Sequence, residues 1–132
     1  MKQSEFLPYQ MCLALKNFGY SGHSVSWYGP LGLYMGVDTH AQGFVEVHNI
    51  YRDFNTIEWA EGACTAVLWQ QAFDFFRQKF GMIAVIEDHV SNGIKWSVKI
   101  KKDADVITLQ SNYASYERAR FEAVKSLIDL LL

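Results

Sequence analysis

Apolar and polar positions in this chain follow two periods, one helical and one extended, and they change over at Gly81. From Ala66 to Gly81, Trp69, Phe73, Phe76 and Phe80 recur at i, i+4, i+7 and i+11, which sets four aromatic rings on one helical face. Leu68, Ala72 and Phe75 widen that stripe, and Gln70, Gln71, Asp74, Arg77 and Gln78 fill the opposite face. Gly81 predicts the helix end, because glycine takes the left-handed conformation at low cost. The continuous apolar run Met82–Ile86 then reads as a buried strand. Beyond it, Ile94, Trp96, Val98 and Ile100 alternate with Lys95, Ser97, Lys99 and Lys101, the pattern of a strand with one core face and one lysine face. Ser91-Asn92-Gly93-Ile94 between the two runs predicts a tight type I′ hairpin, since Asn and Gly accept positive φ. A turn at 103–105 leads to a third strand, Val106–Leu109. Ser115 is the predicted N-cap of a last helix from Tyr116 to about Leu131. Tyr116, Ala119, Ala123, Leu127 and Leu130 or Leu131 would line its inner face.

Before residue 66 the periods are weaker. Pro8–Phe18 predicts a first helix, with Met11, Ala14, Leu15 and Phe18 buried and Gly19 at its end. The ends LKNFGY and RQKFGM of the first two helices match, which predicts the same C-terminal chemistry for both. Six of the nine glycines fall between Gly19 and Gly43, so no helix is expected there. Val25–Tyr28 and Leu31–Val37 read as short strands about a Gly29-Pro30 turn. Phe44–Tyr51 reads as a further strand, making a hairpin with Leu31–Val37. Residues 52–64 read as a connection with one helical turn near Ile57–Ala60. The fold class expected is α+β, with three helices and an antiparallel sheet in a single domain, 1–132. Its second half runs α-β-β-β-α, and its glycine- and aromatic-rich first half adds a hairpin.

Composition narrows the functional classes. Twelve basic against fourteen acidic residues give no bulk field for nucleic acid or an anionic membrane. Half the residues are apolar and 15% aromatic, enough for a core without metal or disulfide support. Cys12 and Cys64 belong to no CxxC or Cys/His set, and a reduced, cytoplasmic protein is the simpler reading. The N-terminus MKQSEFLPYQ lacks the basic and apolar regions of a signal peptide, and no apolar run approaches a membrane span.

Three segments carry a family resemblance: LPYQMCLALKNFGY (7–20), WQQAFDFFRQKFG (69–81) and ASYERARFEAVKSLIDLL (114–131). They resemble small proteins found in phage-like and mobile regions of gut Bacteroidetes genomes. There an A-F-x-[WF]-F-R-x-K-[YF]-G helix precedes a β-hairpin, and the closing helix commonly runs T-Y-E-E-A. The sequence departs from that pattern at Val67-Leu68, where relatives enter the helix with Pro or Pro-Thr. It departs again at Arg118, which replaces the Glu of a capping box, and in a longer middle, 29–62. The family's function is unassigned, so the resemblance transfers no catalytic residue; a phage-encoded chain would act in the host-cell cytoplasm.

Candidate chemistry is sparse. Asp38-x-His40 and Glu46-x-His48 each project to one side of extended chain, and a hairpin would gather all four as ligands for zinc or iron. The preferred alternative is polar residues on the outside of a hairpin. Lys95, Lys99, Lys101 and Lys102 form a basic row that suits phosphates. The α-β-β-β-α order is similar to that of double-stranded RNA-binding domains, which grip phosphates with lysines at the start of the last helix. Here that place holds Glu117, Arg118 and Arg120, and seven basic residues meet seven acidic ones from Gly81 onward. A solvated lysine face that discourages strand-to-strand association is the preferred reading. Trp27, Tyr28, Tyr34, Tyr51 and Trp59 offer either a partner surface or core. Glu87 and Asp88 point to opposite faces of a strand and make a poor acid/base pair. With no nucleophile elbow, P-loop or dinucleotide fingerprint, the expectation is a non-enzymatic protein without cofactor whose partner is another protein or a second copy. A nucleic-acid module on the lysine row is the alternative, and a metal-dependent enzyme the third. The aromatics of Ala66–Gly81 are expected inside the fold, which leaves the first half to supply any working surface.

Overall fold

Proline at position 8 starts the first helix by fixing φ at −56° and offering no N–H that would need a partner. α1 spans Tyr9–Asn17, one residue inside the predicted start. The computed structural model describes residues 5–24, 26–29, 32–35, 55, 62–90, 92–109 and 112–132. Among these the chain forms three helices and two three-stranded antiparallel sheets, an α+β fold. The chain divides into two compact units, Met1–Gln71 and Ala72–Leu132.

In the first unit α1 buries Met11, Cys12 and Leu15, while Ala14 and Phe18 are only half-buried. The buried stripe is thus turned toward Cys12 relative to the predicted one. Gly19, at φ +94°, closes α1 with a Schellman motif: its N–H donates to Lys16 O at 3.0 Å, and that of Tyr20 to Leu15 O at 2.9 Å. β1 (Ser26–Gly29) and β2 (Gly32–Met35) pair from Ser26↔Met35 to Gly29↔Gly32 across the expected turn. β3 (Cys64–Thr65) pairs on the other side of β1, giving the order β2-β1-β3. β3 falls where a plain connection was expected. The predicted strand at 44–51 and the helical turn near 57–60 lie outside the described residues.

Residues 62–68 are stitched to the N-terminal segment rather than to their neighbours. The Leu7 N–H donates to Val67 O at 2.8 Å, and Phe6 bridges Leu68. The Val67 N–H donates to Cys12 Sγ at 3.4 Å, and the Cys12 thiol donates to Leu7 O at 3.5 Å. Tyr28 adds its hydroxyl to the same Leu7 carbonyl at 2.7 Å. Lys16 Nζ caps Ala63 O at 2.7 Å, and the Tyr9 hydroxyl reaches Gly62 O at 3.0 Å. Asn55 ties Tyr20 O to the Thr65 N–H with its side-chain amide. These bonds hold 66–68 extended, so α2 spans Trp69–Phe80 and begins three residues after the predicted start. The Gln71 side chain accepts from the Leu68 N–H at 3.0 Å, half of a capping box.

α2 carries the predicted aromatic stripe inward: Trp69 is 9% exposed, Phe76 is fully buried, and Phe73 and Phe80 are half-buried. Phe75, Phe76 and Phe80 pack edge-on or tilted at 5.5–6.3 Å between centroids. Gly81, at φ +66°, ends α2 with a single bond from its N–H to Arg77 O at 3.1 Å. The two helices therefore share glycine as terminator but not the hydrogen-bond pattern.

In the second unit β4 (Met82–Val90), β5 (Ile94–Lys102) and β6 (Asp105–Thr108) form a meander in that order. Asn92 and Gly93 take the positive φ values expected, 56° and 104°. The closing pair, however, is Val90↔Ile94, so three positions separate the strands instead of the two of a tight I′ hairpin. That one-residue difference decides which faces meet. It sets Ile86 opposite Val98 and Ala84 opposite Ile100, where a two-residue loop would have paired Ile86 with Lys99. β4 also runs four residues past the predicted Ile86, and β6 starts at Asp105. α3 (Tyr116–Asp129) begins with Ser115 Oγ accepting from the Arg118 N–H at 3.1 Å, as predicted. It lies over β4 and β5 and buries Ala119, Ala123, Val124, Leu127 and Ile128. Tyr116 and Leu130, expected inward, are 39% and 46% exposed. Val98, Ala119 and Ala123 form a fully buried centre, packed by Phe73, Ala84, Ile86, Trp96, Leu109 and Tyr113.

Candidate functional site

Strand alternation sorts the meander into two faces. The even-numbered residues of β5 lie on the α3 side, where Val98 packs with Ala119 and Ala123. The odd-numbered ones, Lys95, Ser97, Lys99 and Lys101, lie on the other face, and Lys102 sits at the strand end on the α3 side. Register places apolar residues beside these lysines. Lys101 stands between Ile83 on β4 and Val106 on β6, and Lys99 between Val85 and Thr108. Farther along, Glu87 lies opposite Ser97 and His89 opposite Lys95. Ile83 and Val106 are 45% and 55% exposed, while Lys95 and Lys99 are half-buried. The face is therefore a mixed one, with lysines along β5, apolar residues at one end and Glu87 as the acid on β4, rather than a simple lysine row.

The hairpin tip carries the most exposed apolar pair. Val90 and Ile94 stand directly opposite each other, 84% and 62% exposed. The next pair inward is Asp88 and Trp96, and Trp96 stacks edge-on against Tyr116 at 5.3 Å. Every exposed large apolar side chain among the described residues belongs to the second unit. The sequence pattern missed Val90, because its strand was read as ending at Ile86. It missed Ile83 and Val106, because only the register sets them beside Lys101.

The other candidates fare differently. Trp27 and Tyr28, 5% and 3% exposed, belong to the core of the first unit and not to a partner surface. Tyr28 spends its hydroxyl on Leu7 and packs edge-on against Tyr9 at 5.7 Å. Tyr34 is in β2, paired through its backbone with Trp27. Tyr51, Trp59 and the four proposed ligands Asp38, His40, Glu46 and His48 lie outside the described residues. Among the described residues no group of three or more His, Cys, Asp or Glu could hold a metal ion, and no helix is long and apolar enough to cross a membrane.

At the start of α3, where a phosphate grip would sit, both arginines are engaged within the fold. Arg118 pairs with Glu122 and lies 5.4 Å from the centre of the Phe121 ring. Arg120 lies 5.6 Å over Tyr116. The cysteines are not nucleophiles. Burial pushes the Cys12 thiol up to about 12, against the lowering effect of the Val67 N–H, and burial pushes Cys64 up to about 11. Both are protonated at neutral pH, in keeping with Cys12 donating to a carbonyl. Compared with family models, curated proteins and solved structures, the chain matches none.

Proposed function

We propose that this chain is a small non-enzymatic binding or accessory protein that works through protein–protein contacts in the cytoplasm. It would be of the phage and mobile-element type that its three helical segments resemble. The observation that supports the reading is the pair Val90 and Ile94 at the hairpin tip. Two branched apolar side chains so far exposed are costly in a monomer and useful at an interface core. The mixed face around Lys101, on the opposite side of the sheet and toward its other end, offers a second patch in which apolar contact is flanked by charge.

The test is co-purification from cells expressing the tagged chain beside an untagged copy. Wild type is compared with the double variant Val90→Asp and Ile94→Asp, and recovered proteins are identified by mass spectrometry. The reading predicts a protein recovered with wild type and lost with the variant. Identical recoveries from a folded variant would sink it.

A second reading has one specific observation behind it: Lys95, Lys99 and Lys101 share a face. Binding there would rest on phosphate contacts, because the neighbouring positions Ile83, Val85 and Val106 offer no aromatic platform for bases. It requires a salt-dependent mobility shift of single- or double-stranded oligonucleotides. No shift at low salt removes it.

A further inference from the structure

β4 is the long edge of the meander. It pairs with β5 at nine consecutive positions, from Met82↔Lys102 to Val90↔Ile94, and has no neighbour on its other side among the described residues. The register is continuous, so no bulge turns the edge away, and the strand contains no proline or lysine. Bulges, prolines and lysines are among the devices by which edge strands avoid pairing, and of the others β4 keeps charge, in Glu87 and Asp88. The opposite edge differs, because β6 pairs for only four residues and Tyr113 then takes over against Trp96.

We propose that the outer edge of β4 pairs with β4 of a second copy, antiparallel about a two-fold axis at Ile86, to make one continuous six-stranded sheet. The proposal rests on the protein-binding reading above and names its partner. A two-fold at Ile86 uses all nine residues, because the strand is symmetric about that position. Val90, the most exposed apolar residue of the strand, then lies beside the backbone of the partner's Met82, whose own side chain is buried. On the lysine face, Val85 lies beside the partner's Glu87. Lys99 is the next residue across from Val85, and Lys101 is one row away. Two strand spacings separate Lys99 from the partner's Glu87 at the backbone, about 10 Å, within reach of an extended lysine and a glutamate. The Val85–Lys99 row of one copy thus meets Glu87 of the other. In-register parallel pairing sets Glu87 on Glu87, as does a two-fold placed at Glu87, so charge disfavours both, and the use of all nine residues selects the two-fold at Ile86 over one at Val85.

The experiment is size-exclusion chromatography with light scattering on the full chain, up to about 100 µM. Amide hydrogen exchange of β4 is followed at low and high concentration. The expected mass at high concentration is twice the 15.2 kDa of one chain, with β4 amides protected only there. Glu87→Lys, at an exposed position, weakens the dimer about tenfold or more in Kd. Lys99→Glu in the Glu87→Lys background restores it, and because Lys99 is also diagonal to Glu87 of its own chain, the urea midpoints of the monomeric variants must stay level for the rescue to belong to the interface. Circular dichroism checks that each variant folds, and Lys99→Glu alone supplies the same loss by a second route. A strict monomer, a dimer whose β4 amides exchange alike at both concentrations, or the absence of rescue would each overturn the proposal. A monomer that still binds another protein through Val90 and Ile94 overturns self-pairing and leaves the binding reading standing.

Discussion

Raising the pH tests the seam between Cys12 and Val67 directly. In the unfolded chain both thiols titrate near 9.0, whereas burial pushes Cys12 up to about 12 and Cys64 up to about 11 in the fold. The folded state therefore holds these protons more tightly than the unfolded state does. Stability from this source is fully present below pH 9 and is lost as pH climbs from 9 toward 12. At pH 10 the unfolded thiol has gained about 1.4 kcal/mol by ionising, and the folded Cys12 almost nothing, so each thiol costs about that much. Tyrosines and lysines also titrate in this window, so the assay is a difference. Urea unfolding is measured at pH 7, 8, 9 and 10 for wild type and for Cys12→Ala. At pH 7 the variant is less stable by about 1–3 kcal/mol, because the buried Val67 N–H loses its acceptor while Leu7 O keeps the Tyr28 hydroxyl. By pH 10 that gap has narrowed by about 1.4 kcal/mol, since alanine has no proton to lose. Two parallel curves would refute the reasoning, for they would mean that Cys12 ionises as readily folded as unfolded.

Two further outcomes follow from single positions. Phe76→Ala removes the largest fully buried side chain among the described residues and lowers unfolding stability by about 3–5 kcal/mol, read from denaturant midpoints at unchanged slope. Ser115→Ala removes the acceptor of the Arg118 N–H at the start of α3 and costs about 1 kcal/mol, with earliest loss of amide protection in the first turn.

The second half of the fold was legible because its signals are local. Ser115 caps the helix it precedes, Gly81 ends the helix it follows, and the alternation of β5 needs only its own residues. Register was not legible. β4 offers Ala84 and Ile86 on one face and Ile83 and Val85 on the other, so its own pattern accepts either slip. Only the pairing with β5 chooses, and it makes the loop three residues long. The start of α2 was misread for a related reason. Ala66, Val67 and Leu68 suit a helical stripe, but Leu7, Cys12 and Ser26 take their backbone groups into extended pairing. The candidate surface was hidden in the same way, since Ile83 and Val106 become neighbours of Lys101 only through the ladder.

The stitching of residues 62–68 also sets an order in time. The bonds from Tyr9 to Gly62, Lys16 to Ala63 and Val67 to Cys12 close spans of 53, 47 and 55 residues. β5 finds β4 across three residues, and β6 finds β5 across two. Closing a long loop costs chain entropy before any bond rewards it, so distant pairings form slowly. On a ribosome the first helix emerges early, yet its seam cannot form until Val67 has cleared the exit. The meander, made later, zips as it appears. The half of the chain that is synthesised first is the half that must complete itself by long-range closure.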